Sequence, residues 1–389
     1  MSIFRVFIFL LLASKASGQS SRYNGDLKNI HSIGIIKQVN NTKEVLHEEI
    51  HQYLKSLADT SHFQGVALIV KGNAIIHKAV YGNSNREKNK PINFRTQYLL
   101  GSLSKSFVSI AIMQLVEAGR LNLFEPVKNY LPGLKEDLAK GLNVHLLLKH
   151  RSGLATNLDA VTKYQLMELT PKELLALINK TERRSEPGIK FEISSLNFML
   201  LGLVIENLSR KNYEEYMKEN IFKPLHLSST GISHLFSPAP YKANGYRLIE
   251  GTVGRIEDLI SYSYATADMY SSVGDLFTWG YALQHGWMLS KQSMGLLFDG
   301  GVKANGNYGY GFRTQSYMRA DSLADPGKLI RHGGVMNGFC ANYHYYDKDD
   351  LTIILLNNYR NLRILDITFK LKELVYGYAI GQRKNKYDE

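Results

Sequence analysis

The two ends of the chain carry the same kind of pattern in opposite order, and this constrains the fold more than anything else in the sequence. Near the front, Thr42 opens an amphipathic helix in which Leu46, Ile50, Leu54 and Leu57 recur at helical spacing. Two apolar runs follow, Gly65 to Val70 and Ala74 to Tyr81, joined by the turn-forming Lys71-Gly72-Asn73. Near the end, the runs Phe339 to Tyr346 and Leu351 to Leu356 meet at Asp347-Lys348-Asp349-Asp350, and a closing amphipathic helix runs from about Leu362 to Tyr376. Helix–hairpin in front and hairpin–helix behind predict one α/β lobe built from both ends, residues 42–125 and 300–389. Residues 126–299 then form a mainly helical lobe inserted between them. The stretch Phe107 to Val116 is apolar almost all round, which predicts a buried helix stopped by Gly119.

Composition narrows the class. The chain has 389 residues, 44% hydrophobic and 21% charged, which excludes a disordered or fibrous protein. A single cysteine, Cys340, excludes an intramolecular disulfide framework and any cysteine-rich metal site, and reads as a small buried hydrophobe. Arg5, the apolar run Val6 to Ala13 and the small-residue site Ala16-Ser17-Gly18 have the order of a secretory signal peptide over residues 1–18, with a polar linker over 19–41. The run is shorter than the roughly 17–25 residues that a membrane span needs. These features predict export to a bacterial periplasm or the cell exterior, with no transmembrane segment after the signal is removed. The formal charge of +12 falls to +10 without residues 1–18, which contain Arg5 and Lys15 and no acids. The basic residues are scattered apart from Arg383-Lys384-Asn385-Lys386, which argues against nucleic-acid binding.

Two motifs compete for the chemistry. His47-Glu48-Glu49-Ile50-His51 is a literal HExxH, with histidines one helical turn apart and a glutamate to activate metal-bound water. A zinc site needs a third ligand. Leu54 and Leu57 stand where the extended motif requires Gly and His, so an amphipathic helix is the better reading and neither a metal nor a cofactor is expected. The second motif is Ser102-Leu103-Ser104-Lys105. At i and i+3 on a helix entrance, the lysine amine reaches the serine hydroxyl. Burial by the apolar residues that follow lowers the lysine pKa and makes it a proton acceptor. A serine at a helix N-terminus also has free backbone N–H groups beside a developing oxyanion.

Gly101 to Phe107 resembles the nucleophile segment of class C serine β-lactamases and their D,D-peptidase and esterase relatives. Other segments agree in order: Leu146 to Leu154, Pro187-Gly188 with Leu200-Leu201-Gly202, Met269 to Leu276, and His332-Gly333-Gly334 with Gly338-Phe339. The resemblance spans residues 44–376. It implies a β-lactamase/transpeptidase-like α/β (α+β) fold, in which an antiparallel sheet flanked by helices and an inserted all-helical lobe enclose the active-site cleft. It further implies that Ser102 is acylated with Lys105 as its base, and that the N–H groups of Ser102 and Val335 form the oxyanion hole. His332, Gly333 and Gly334 would line the cleft on an edge strand, with His332 donating to a substrate carboxylate or carbonyl.

The family pattern breaks at its second motif. Spacing from both sides puts Ile193 where the family has tyrosine and Ser195 where it has asparagine. Isoleucine cannot move a proton, and the Ser195 hydroxyl replaces one amide hydrogen bond rather than two. Ser195-Leu196-Asn197, Tyr81-Gly82-Asn83, Tyr359-Arg360-Asn361 and Tyr262-Ser263-Tyr264 are decoys for the motif by register or position. The expected function is an exported serine hydrolase acting on an ester, amide or D-amino-acid peptide, some of it cell-wall derived, weakened by Ile193. The alternatives are a slowly deacylating penicillin-binding protein and a pseudoenzyme that keeps the cleft for binding.

Overall fold

The computed structural model describes residues 41–60, 63–162, 169–234, 241–256, 263–319, 325–336, 338–360 and 363–376. The expected signal peptide, nearly all of the linker and the basic cluster at 383–386 lie outside these residues. Among the described residues, no helix is long and apolar enough to cross a membrane.

The terminal patterns fold together. Helix α1 (Asn41–Asp59) precedes strands β1 (Gly65–Lys71) and β2 (Ala74–Tyr81). From the other end come β3 (Arg313–Tyr317), β4 (Gly327–Met336), β5 (Phe339–Tyr346) and β6 (Leu351–Asn357). They join in one six-stranded sheet of order β3-β4-β5-β6-β1-β2, every pair antiparallel. The seam is β1 against β6, with Val66 opposite Leu356 and Ala67 opposite Leu355. Period-two alternation sends Val66, Leu68, Val70, Ile354 and Leu356 to one face, and Ala67, Ile69, Ile353 and Leu355 to the other. Both faces are covered, so these strands read as continuous apolar runs.

On the second face, Ile50 and Leu54 of α1 pack with Ile364, Ile367 and Leu371 of the closing helix, Ile364–Val375. The first face is covered by α2 (Ser104–Glu117), which runs through the interior as its sequence requires, and by α4 (Val273–Gln284). Helix α3 (Ser195–Ser209), buried from Leu196 to Ile205, packs against α2. Phe107 of α2 stacks on Trp279 of α4 at 4.2 Å, and Trp279 meets Tyr343 of β5 edge-on at 5.5 Å. A helix from the inserted segment therefore packs directly on the sheet. That segment is also not all-helical: Met269–Ser271 pairs with Tyr98–Leu99 on one side and Gly231–Ile232 on the other in a small sheet, and Gly245–Ile249 forms a hairpin with Thr252–Ile256. Cys340 is buried and free, as its apolar strand suggests.

Candidate active site

Ser102 sits in a tight turn driven into the sheet. Gly101 has φ +55°, and a Cβ there would come within 2.8 Å of the Val335 backbone nitrogen, so only glycine fits. The 3-10 turn Gly101–Leu103 then runs into α2. Backbone ties hold this entrance from two sides: Met269 N–H donates to Ser104 Oγ at 3.2 Å, and Ser106 Oγ donates to Gly311 O at 2.5 Å.

Lys105 is only 4% exposed. Its Nζ donates to Ser102 Oγ at 3.0 Å and to the Thr266 carbonyl at 2.9 Å. Burial lowers its pKa to about 8, against the opposing pull of Asp268. Asp268 is itself pushed up to about 7 by burial; its Oδ2 accepts from Ala265 N–H at 2.7 Å, and its Oδ1 has no partner among the described residues. The amine is therefore within a unit or so of shedding its proton at neutral pH, beside a hydroxyl it already touches.

The facing wall is β4. Expected as an edge strand, it has β3 alongside Gly327–Arg331 only, so His332–Met336 present a free edge to the nucleophile turn. Gly334 makes the contact: a Cβ there would lie 1.9 Å from Leu100 O and 2.7 Å from Ser102 N. The backbones of Gly334-Val335 and Gly101-Ser102 thus lie against each other, as an oxyanion hole shared between Ser102 and Val335 requires.

His332 differs from its expected role. Its Nδ1 lies 2.7 Å from Gly333 O, an acceptor only, so Nδ1 carries the proton and Nε2 accepts from the Tyr308 hydroxyl at 3.1 Å. Burial lowers its pKa to about 3, so it is neutral and has no free donor for a substrate. Ser195 differs too. It opens α3 with its N–H donating to Thr156 O at 2.7 Å and does not line the cavity beside Ser102, whereas Ile193 does, 48% exposed. Among the described residues, the four decoy strings contribute no side chain to that cavity either; Tyr262 and Asn361 lie outside the described residues.

The cavity measures about 380 Å³ and gathers Ser102, Lys105, His332, Gly333, Gly334 and Val335. It also contains residues that the sequence reading passed over: His150, Tyr308, Arg313 and Arg331. Arg313 on β3 and Arg331 on β4 are direct cross-strand partners. Arg313 donates to Gly306 O at 2.6 Å and lies 5.5 Å over the Tyr308 ring. Burial, then Arg313, lower the Arg331 pKa to about 10, and its Nε has no partner among the described residues. No carboxylate lines the cavity, and neither arginine forms an ion pair among the described residues. A local signal did exist for Arg313, which follows the glycine-spaced Tyr308-Gly309-Tyr310-Gly311-Phe312.

The HExxH histidines lie on α1, across the sheet from α2. His47 Nδ1 is 3.2 Å from Nδ1 of the buried His77 on β2, while His51 Nδ1 is 3.1 Å from the Tyr81 hydroxyl. Among the described residues, no group of three His, Cys, Asp or Glu side chains is arranged to hold a metal ion. His47 is hydrogen-bonded to His77, and His51 and His77 both to the Tyr81 hydroxyl.

The sequence matches the Beta-lactamase family over residues 50–368. It is 29% identical over 316 residues to the "Putative penicillin-binding protein PbpX" of Bacillus subtilis (strain 168), covering 81% of this chain and 74% of that one. Protein flp of Staphylococcus aureus (strain N315) is 29% identical over 242 residues, 60% of this chain and about half, 48%, of that protein. D-amino acid amidase from Ochrobactrum anthropi SV3, solved with L-phenylalanine amide, superposes with a TM-score of 0.72 at 21% identity, over 85% of this chain and 99% of its own, a likeness of fold. With its antiparallel sheet, flanking helices and β-lactamase/transpeptidase-like architecture, the chain belongs to the beta-lactamase family of serine hydrolases.

Proposed function

We propose that this protein is an acyl hydrolase that works through a covalent Ser102 ester. Lys105 Nζ in its neutral form takes the hydroxyl proton as Ser102 Oγ attacks the scissile carbonyl. The N–H groups of Ser102 and Val335 hold the oxyanion. As the leaving group departs, Lys105 returns the proton to it, and water then attacks the acyl-enzyme to regenerate Ser102. The observation that carries this reading is the 3.0 Å contact between a buried amine of lowered pKa and a hydroxyl at a helix entrance. The substrate class is an ester, amide or D-amino-acid peptide, and an N-terminal export signal would deliver the enzyme to the periplasm or beyond, where cell-wall peptides occur.

The arginines refine that class. Like charges directly opposite on a sheet repel, and Arg313 with Arg331 face a cavity with no acid to offset them. An anionic substrate group removes the repulsion, so the substrate carries a carboxylate close to the scissile bond. Turnover of a short-chain p-nitrophenyl ester tests the hydrolase itself. Wild type is expected to hydrolyse it and Ser102→Ala to fall to background; equal rates would remove Ser102 from the chemistry.

A second reading rests on Ile193. Among the described residues, Lys105 is the one group touching Ser102 Oγ that can move a proton, so water activation in the second half-reaction has a single helper there. Acyl-enzyme from a β-lactam would then persist, which is penicillin binding with slow release.

The pH dependence follows from Lys105. Acylation needs the neutral amine, so its rate is expected to rise as pH passes through about 8. The Asp268 carboxylate is the charge that holds the lysine pKa up. Asp268→Asn should therefore move this acid limb to lower pH and speed acylation at pH 7, measured by stopped-flow with an activated ester. A limb that stays in place, or moves up, would mean that Lys105 is not the titrating base.

A further inference from the structure

His150 is held more firmly than a loop residue of no consequence needs to be. Its backbone is left-handed, with φ +53°, a conformation a histidine keeps only when its surroundings hold it there. The side chain is 1% exposed, and Nδ1 accepts from the Ser194 backbone N–H at 3.2 Å and from Asn197 Nδ2 at 3.0 Å. Because the Ser194 N–H already makes Nδ1 an acceptor, a flipped amide would set Oδ1 against it, acceptor to acceptor. Leu154 N–H donates to Ser152 Oγ at 3.1 Å, and Ser152 Oγ donates to Asn197 Oδ1 at 2.6 Å, which leaves Nδ2 facing the imidazole. A backbone N–H is only ever a donor, so Nδ1 is an acceptor and the proton sits on Nε2.

That Nε2–H is buried and has no partner among the described residues, and the ring lines the cavity with Ser102 and Lys105. Tyr308 and Phe198 wall it in, with ring centres at 4.8 and 5.3 Å. A buried donor left open is costly unless something arrives to accept from it. Burial, the largest cause, holds the His150 pKa well below that of a free imidazole, so the ring serves here as a neutral donor.

We propose that His150 is a substrate-binding donor: its fixed Nε2–H bonds an acceptor oxygen of the substrate beside the scissile bond, supplying a polar contact on the side of the cavity where Ile193 has none. The proposal rests on the acyl-enzyme reading for its location and adds no covalent step. Two substitutions separate this role from a structural one. In His150→Asn the Oδ1 replaces Nδ1 as acceptor for Ser194, and asparagine tolerates the left-handed backbone, but the cavity donor is gone. In His150→Gln the amide N–H₂ reaches the position of Nε2.

The experiment measures ester kcat/KM, fluorophosphonate labelling and thermal midpoint for wild type, Ser102→Ala and both His150 variants, with imidazole ¹⁵N spectra of the free protein. His150→Asn is expected to keep its midpoint and lose about 10- to 100-fold in kcat/KM, with His150→Gln restoring most of it. Full activity in His150→Asn, or a loss that His150→Gln does not repair, overturns the donor. Absence of labelling in wild type overturns the Ser102 reading instead. The ¹⁵N spectra then still decide, because an Nδ1–H tautomer contradicts the proposal whatever Ser102 does.

Discussion

Replacing Lys105 with methionine is expected to slow acylation of Ser102 by about 10²- to 10⁴-fold while the protein stays folded. Methionine keeps the length and apolar stem of the lysine but cannot accept a proton. The Ser102 hydroxyl would then attack with no base in contact, because no other proton acceptor among the described residues reaches Ser102 Oγ. Stability should not suffer. The lowered lysine pKa means that burial already works against the ammonium, and a neutral side chain removes that cost. The partner given up is the Thr266 carbonyl, at 2.9 Å. Stopped-flow acylation and a thermal melt on the same sample check both halves. A Lys105→Met protein that acylates at the wild-type rate would show that the lysine is packing rather than chemistry.

Gly334→Ala is expected to abolish detectable acylation and to destabilise the protein by about 1–3 kcal/mol. The added methyl would lie 1.9 Å from Leu100 O and 2.7 Å from Ser102 N. Both are backbone atoms of the turn that presents the nucleophile, and no flexible side chain stands there to give way. Either β4 moves off the turn, carrying the Val335 N–H with it, or the turn moves and displaces Ser102. Gly274→Ala is the control, since a Cβ on that helical glycine meets nothing within 4 Å and should be neutral or stabilising. Urea titrations with probe labelling of both variants measure the difference. A Gly334→Ala protein with normal labelling would show that the close approach is not needed.

How much of this was legible in the sequence depends on how local each feature is. The helix at Asn41–Asp59, the hairpin through Gly72 and the two strands around Asp347–Asp350 follow from periodicity and turn residues within a few positions of one another. So does α2, apolar all round because it is enclosed all round. Ser102 with Lys105 is local in the same sense, two residues one helical turn apart. The Arg313–Arg331 pair is not, because it exists only through the register between β3 and β4. His150 was visible as part of a familiar segment, but its tautomer depends on Ser194, Asn197 and Ser152, brought together by loop packing. His332 was legible as a lining residue, while the Tyr308 hydroxyl that occupies its Nε2 comes from a different stretch of chain. Spacing puts Ser195 at the position of the family's asparagine, but it starts α3, where its N–H donates to Thr156 O and it does not line the cavity.

The most direct measurement is the site of covalent labelling. Incubating the purified protein with a fluorophosphonate or a fluorescent penicillin, then mapping the adduct by peptide mass spectrometry, should place one modification on the peptide containing Ser102 and none on Ser102→Ala. An adduct at any other residue, or equal labelling of the Ser102→Ala protein, would contradict a mechanism built on that hydroxyl and its neighbouring amine.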